Sequence, residues 1–216
     1  MSISENIKNI SSQIPEHVTL IAVSKTKPNE MIMEAYNAGQ RDFGENYVKE
    51  LVDKQDQLPK DIRWHFIGHL QSNKIKYIAP FVQLIHGVDS FSLLKEINKQ
   101  AQKNNRVIDC LLQIYIAQEE TKFGLDFNEA NEILNSIAFK ELKNISIKGF
   151  MAMASNTDNE IQIRKEFKSL TNFSKQYINF PILSFGMSND YLLAIEEGST
   201  MIRVGSSIFG ERNYTK

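Results

Sequence analysis

Cysteine is almost missing from this chain of 216 residues, and Cys110 is the only one. No disulfide can form within the chain. A single thiol inside the apolar run Ile108-Asp109-Cys110-Leu111-Leu112 reads as a small buried hydrophobe, not a nucleophile. An excess of one charge is missing too: 25 Lys and Arg stand against 26 Asp and Glu, a net charge of −1. Such a balance offers no basic face for nucleic acid and no pull towards an anionic membrane. Long apolar runs are absent, since no stretch approaches the roughly 18 residues of a spanning helix. The opening MSISENIKNISSQ has neither the basic nor the apolar region of a signal peptide. With 5 prolines and 10 glycines there is little material for linkers. What remains is an ordinary globular chain, 42% hydrophobic and 24% charged, expected in the cytoplasm.

What is present is alternation. Ile3, Ile7, Ile10 and Ile14 stripe a leading helix within residues 1–15. Strand-like runs follow at 18–24, 41–43, 63–67, 82–88, 107–116, 145–153, 182–185 and 201–204. Helix-like stretches separate them. Pro28 and Gly39 bracket one, Ser72 is expected to cap another that ends at Pro80, and Asp89 and Ser90 cap a third. Asp126 opens a helix carrying Ala130, Ile133, Leu134 and Ile137, and Ile163, Phe167, Leu170 and Tyr177 stripe a long one. Eight βα units without a long linker predict a parallel sheet closed into a single-domain (β/α)8 barrel over residues 1–216. An open dinucleotide-binding sheet would want G-x-G-x-x-G after the first strand, where Ser24-Lys25-Thr26-Lys27-Pro28 stands instead.

Function in such a barrel gathers at the carboxyl ends of the strands. Alternation puts Ile21, Val23 and Lys25 on one face, so Lys25 stands at the barrel mouth or snorkels between helices. A desolvated lysine readily gives up its proton and attacks carbonyls, and Lys27 would help by repulsion unless Pro28 turns it away. The last two strands run into Ser184-Phe185-Gly186-Met187-Ser188 and Arg203-Val204-Gly205-Ser206-Ser207. Glycine and hydroxyl residues there suit a phosphate, although Ser188 and Ser206 could be plain helix caps. Arg203 is out of place in an apolar strand unless it meets an acceptor in the mouth. A lysine, a phosphate cup and an arginine between them match pyridoxal 5′-phosphate (PLP), held as a lysine imine with an arginine at the pyridine nitrogen.

AVSKTKP around Lys25, DFGENYVKE at 42–50, WHFIGHLQSNK at 64–74 and GSTMIRVGSSIFGERNY at 198–214 resemble the YggS/PROSC family of PLP homeostasis proteins. The resemblance runs from about Leu20 to the C-terminus. It implies a barrel like the N-terminal domain of alanine racemase. It further implies Lys25 as the imine lysine, Arg203 as the pyridine-nitrogen partner, Ser184, Gly205 and Ser206 as phosphate contacts, and Asn46 as a polar neighbour of the ring. Two departures stand out: Tyr115 where the family usually has asparagine, and MAMAS at 151–155 without the usual proline.

Other polar residues read as bland. His65 and His69 share no helical face, so no metal site is expected. Glu119 and Glu120 read as a solvated pair, Trp64 as packing, Lys103 and Arg106 as surface charge. Three functions are weighed. The first is a monomeric PLP carrier and regulator with no catalytic residue, whose partners are amino acids and PLP-requiring apoenzymes. The second is a racemase or related enzyme of low turnover. The third is a phosphate-binding aldolase. Racemisation needs a base on each face of the α-carbon, and alanine racemases draw the second one from a separate domain that this chain is not expected to carry. An arginine at the ring nitrogen also weakens the electron sink. Both favour the carrier.

Overall fold

The computed structural model describes residues 2–119 and 123–211. Its centre is a closed parallel barrel in which eight strands follow one another in chain order and β1 pairs with β8. The strands are β1 Thr19–Val23, β2 Asp42–Glu45, β3 Arg63–Phe66, β4 Leu84–Val88, β5 Ile108–Gln113, β6 Ile145–Met151, β7 Ile182–Ser184 and β8 Met201–Val204. Around them lie α1 Ile3–Gln13, α2 Asn29–Asn37, α3 Val48–Gln57, α4 Ile75–Ile78, α5 Phe91–Lys103, α6 Phe127–Asn135, α7 Ile137–Lys140, α8 Glu160–Ser174, α9 Tyr191–Glu196 and α10 Ser206–Phe209.

The strand alternation sorts side chains into two cores. One face of each strand meets the helices: Leu20, Ala22, Phe43, Trp64, Phe66, Ile85, Cys110, Leu112, Phe150 and Ile202 join the large outer core. The other face fills the barrel, where Ile21, Leu84, Leu111, Met151 and Met201 form a small separate cluster. Cys110 is fully buried, and burial pushes its thiol far above the ordinary range, as the packing reading requires.

Local chemistry explains the helix boundaries. Ser2 caps α1 in a box with Glu5, Ser90 caps α5, and Asp126 with Glu129 boxes α6. Several expectations are corrected. Ser72 caps nothing: it is the first residue of a 3₁₀ turn, Ser72–Lys74, that leads into α4. Asp89 leaves capping to Ser90 and faces His69 at 3.2 Å. Ser136 ends α6 and caps α7, so Ile137 leaves the apolar stripe and is 78% exposed. Tyr177 lies beyond the end of α8 and closes an aromatic group with Phe150, Phe173 and Phe180. Arg106 is more than surface charge, because its guanidinium holds the carbonyls of Ala79 and Val82.

Candidate functional site

The mouth is built around the seam between β1 and β8, where Ile21 pairs with Arg203 and Ala22 with Val204. Lys25 follows β1 by two residues and is half-buried. Its neighbours on both sides are braced. The Ser24 hydroxyl donates to Glu45 Oε1 at 2.6 Å, and Lys54 Nζ binds the Ser24 carbonyl, Glu45 Oε1 and Glu50 Oε1 at 2.8, 2.8 and 2.6 Å. The Thr26 N–H donates to Glu50 Oε1, and Thr26 sits at φ 64°, a left-handed conformation that a β-branched residue adopts only when its surroundings impose it. Burial pushes the Glu45 carboxyl up to about 7, against the pull of Lys54 and Ser24, and its Oε2 is buried without a hydrogen bond among the described residues. Lys27 does turn away: Nζ binds the carbonyls of Phe209, Gly210 and Glu211 at 3.0–3.1 Å, strapping the Lys25 turn to the end of α10.

Across the seam, Arg203 is 5% exposed and points into the barrel. Nη1 donates to the Ser184 carbonyl and hydroxyl, both at 2.7 Å, and Nη2 donates to the Ala152 carbonyl at 3.0 Å. Nε takes no part in these bonds. Burial lowers the guanidinium to about 10, with Asp190 favouring its charge through space, so it remains a cation near neutrality. The glycine turns lie beside it. Gly186 has φ 96°, and a Cβ there would meet Ala194 Cβ at 2.6 Å, so only glycine makes this turn. The Ser188 hydroxyl accepts from Gly205 N–H at 3.2 Å, joining the two loops instead of capping α9. Ser206 and Ser207 open α10 on the exposed side, where the first N–H groups of a helix have no partner within it.

Of the expected residues, the fold gathers Lys25, Arg203, Gly205 and Ser206 at this seam. Asn46 directly follows β2, with Oδ1 buried and unpartnered among the described residues, and lines a cavity of about 620 Å³ together with Phe66, Gly68 and His69. Ser184 is fully buried, its hydroxyl accepting from Arg203 Nη1 at 2.7 Å and meeting His86 Nδ1 at 3.0 Å.

Sequence reasoning missed what stands behind Ser184. His86 Nε2 meets His65 Nδ1 at 3.0 Å, and His65 Nε2 meets Asp42 Oδ1 at 3.1 Å. Burial, His65 and Arg203 together hold His86 well below its ordinary range. Burial opposes ionisation of Asp42, but hydrogen bonds from Arg63 and His65 outweigh it and bring the carboxyl down to about 2. The signal was available: a histidine among apolar residues in Leu84-Ile85-His86-Gly87-Val88 is as unusual as an arginine in β8. Among the described residues no group of three His, Cys, Asp or Glu is placed to hold a metal.

At the two departures, Tyr115 is half-buried and its N–H donates to the Leu125 carbonyl, while Ser155 binds Glu166 through both N–H and hydroxyl and accepts from Gln118 N–H. Glu119 is not merely solvated, since its Oε1 accepts from Asn156 N–H, whereas Glu120 lies outside the described residues.

The residues fit a phosphorylated carbonyl compound: a lysine at one strand end, the first N–H groups of a short helix at a serine turn, an amide oxygen orphaned among the described residues and a buried oriented cation. Comparison with known proteins agrees. The family model described as alanine racemase, N-terminal domain, matches residues 1–213. A pyridoxal phosphate homeostasis protein of Aquifex aeolicus is 41% identical over 90% of this chain and 87% of its own, and one of Schizosaccharomyces pombe is 39% identical over 94% and 90%. PipY of Synechococcus elongatus, solved with PLP bound, is 36% identical with a TM-score of 0.88, covering 97% of this chain and 100% of that one. An alanine racemase of Clostridium difficile shares the fold alone, at 14% identity and a TM-score of 0.80, with 99% of this chain laid over 58% of the enzyme. No described helix is long and apolar enough to cross a membrane. The chain belongs to the family of pyridoxal phosphate homeostasis proteins, built on the alanine racemase N-terminal domain.

Proposed function

We propose that this chain binds PLP covalently through Lys25 and serves the supply of that cofactor in the cytoplasm as a monomeric carrier, without turning over a substrate of its own. The observation that carries the reading is the β1–β8 seam, which sets a lysine turn, a buried arginine and a glycine–serine turn side by side. PipY, 36% identical, has been solved with PLP bound, which supports the same ligand here.

Lys25 would supply the amine that condenses with the aldehyde, water leaving as the carbon–nitrogen double bond forms. Gly205 and Ser206 would form the phosphate turn, with the Ser206 N–H and hydroxyl as donors. Arg203 would present a donor to the ring nitrogen, Ser184 would orient it, and Asn46 would lie near the ring. PLP, when bound, is an electron sink for amino-acid chemistry. A cationic guanidinium at the ring nitrogen keeps that nitrogen unprotonated and weakens the sink, so the site suits holding and handing on better than turnover. Apoenzymes that accept the cofactor are the expected partners, with amino acids competing for the aldehyde.

The test is an absorbance scan with PLP, followed by borohydride reduction and peptide mapping. A band that reduction fixes on Lys25, and that Lys25→Ala abolishes, is the expected result. No band, or an adduct on another lysine, would overturn the reading. The racemase alternative is favoured by the shared fold. Chiral analysis of alanine and other amino acids incubated with the loaded protein decides it, and turnover beyond one equivalent would establish an enzyme.

A further inference from the structure

The polar residues inside the barrel are not there to fill space. Adjacent inward positions are taken by Ile21, Leu84, Leu111 and Met201. Burying two imidazoles, a hydroxyl and a guanidinium is costly unless each finds a partner, and each does. The bonds run without a break from Arg203 through Ser184, His86 and His65 to Asp42, which Arg63 also holds. This line crosses the barrel interior from the end of β7 to the start of β2.

Its two ends fix where every proton sits. An ionised Asp42 only accepts, so His65 Nε2 carries hydrogen. His65 Nδ1 then accepts from His86 Nε2–H. His86 Nδ1 is left as an acceptor for the Ser184 hydroxyl. The Ser184 oxygen keeps its lone pairs for Arg203 Nη1–H. The reverse pattern fails, because it would leave the Ser184 hydroxyl with donors on both sides and no acceptor for its own proton. In the surviving pattern each dipole turns its negative end to Arg203 and its positive end to Asp42. A carboxylate on one side of the barrel thus steadies a cation on the other through neutral groups.

We infer that Asp42, His65, His86 and Ser184 form a one-directional positioning relay, which fixes Arg203 as an oriented cation with Nε left to meet the ring nitrogen of bound PLP. The cofactor end of this inference rests on the proposed function; the relay itself stands in the unloaded protein. None of the four needs to touch the ligand. They act through Arg203.

Nitrogen-15 NMR of the unloaded wild-type protein tests the relay first. At about pH 7 both His65 and His86 are expected as neutral Nε2–H tautomers, with a slowly exchanging Arg203 Nε–H signal. Asp42→Asn and His86→Phe are each expected to shift that signal and speed its exchange by about tenfold. In the loaded protein the same two variants are expected to release PLP about tenfold more readily while borohydride still traps it on Lys25. An Nδ1–H tautomer at His86, an imidazolium at His65, or an Arg203 signal and a PLP affinity indifferent to Asp42→Asn would each overturn the relay. If His86→Phe does not fold, Asp42→Asn carries the test from the far end of the barrel. If the wild-type protein binds no PLP, the proposed function fails, and the NMR arm still decides on the relay.

Discussion

The two flanks of the mouth are braced by opposite means. Behind Lys25 stands a cluster of charges, with Lys54 between Glu45 and Glu50 and hydrogen bonds reaching both Ser24 and Thr26. Behind Arg203 stand carbonyls, a hydroxyl and two imidazoles. Their response to pH differs accordingly. Burial leaves Glu45 at about 7, where a small change in acidity alters its charge. On the other flank Asp42 lies at about 2, Arg203 at about 10 and His86 far below its usual range, so none of these three changes state near neutrality. A polar support made of neutral groups keeps a cation constant. One made of coupled charges is adjustable.

Breaking the charged brace should have the largest effect. Lys54→Met takes the ammonium from Glu45, Glu50 and the Ser24 carbonyl at once and is expected to cost about 3–4 kcal/mol in urea unfolding at neutral pH. A loss below about 1 kcal/mol would mean that the cluster is solvated and the contrast between flanks is false. Next comes the pH profile. Because the folded-state carboxyl of Glu45 lies at about 7 against 4.5 in the open chain, the folded state binds the extra proton between those values. Stability should therefore fall as pH rises from about 4.5 to 7, by about 3 kcal/mol for this group. Glu45→Gln should flatten that decline, and an unchanged slope would assign it elsewhere.

Asp42 gives the opposite sign. Its folded-state carboxyl is at about 2 against 3.8, so its contribution is complete above about 4 and is lost as pH falls through 2. Asp42→Asn should cost about 2 kcal/mol near neutrality and remove that acid-side loss. The smallest effect is expected at the strap between the flanks. Lys27→Met gives up three carbonyl contacts at the end of α10 and should cost about 1 kcal/mol, with faster hydrogen exchange at Phe209 and Gly210.

The barrel was legible because period-two apolar runs and capped helices recur eight times, and because Gly39 and Gly198 stop helices where the chain must turn. Arg203 was legible as an arginine in an apolar strand with no edge to excuse it, and Lys25 as a lysine just past an apolar strand, at the mouth or snorkelling between helices. The supports were not, for different physical reasons. Lys54 on α3 reads as surface charge, since its i, i+4 partner Glu50 is in view but the buried Glu45 lies in another element. Ser184 stands in a glycine–serine run that also suits a phosphate, and only the register of β7 turns its hydroxyl inward. His65 was seen against His69, its neighbour in sequence, when its true partner is His86, one strand further on.

The seam that joins β1 to β8 has a consequence for how the protein comes into being. Lys27 and the Phe209 carbonyl it holds are 182 residues apart, nearly the whole span of the chain. Closing so long a loop carries a large entropic cost, and contacts of this separation slow folding. During synthesis β1 emerges early and must wait, its edge unpaired, until β8 has left the ribosome. The lysine turn and the serine turn therefore meet last, and the site proposed between them is complete only as the ring shuts.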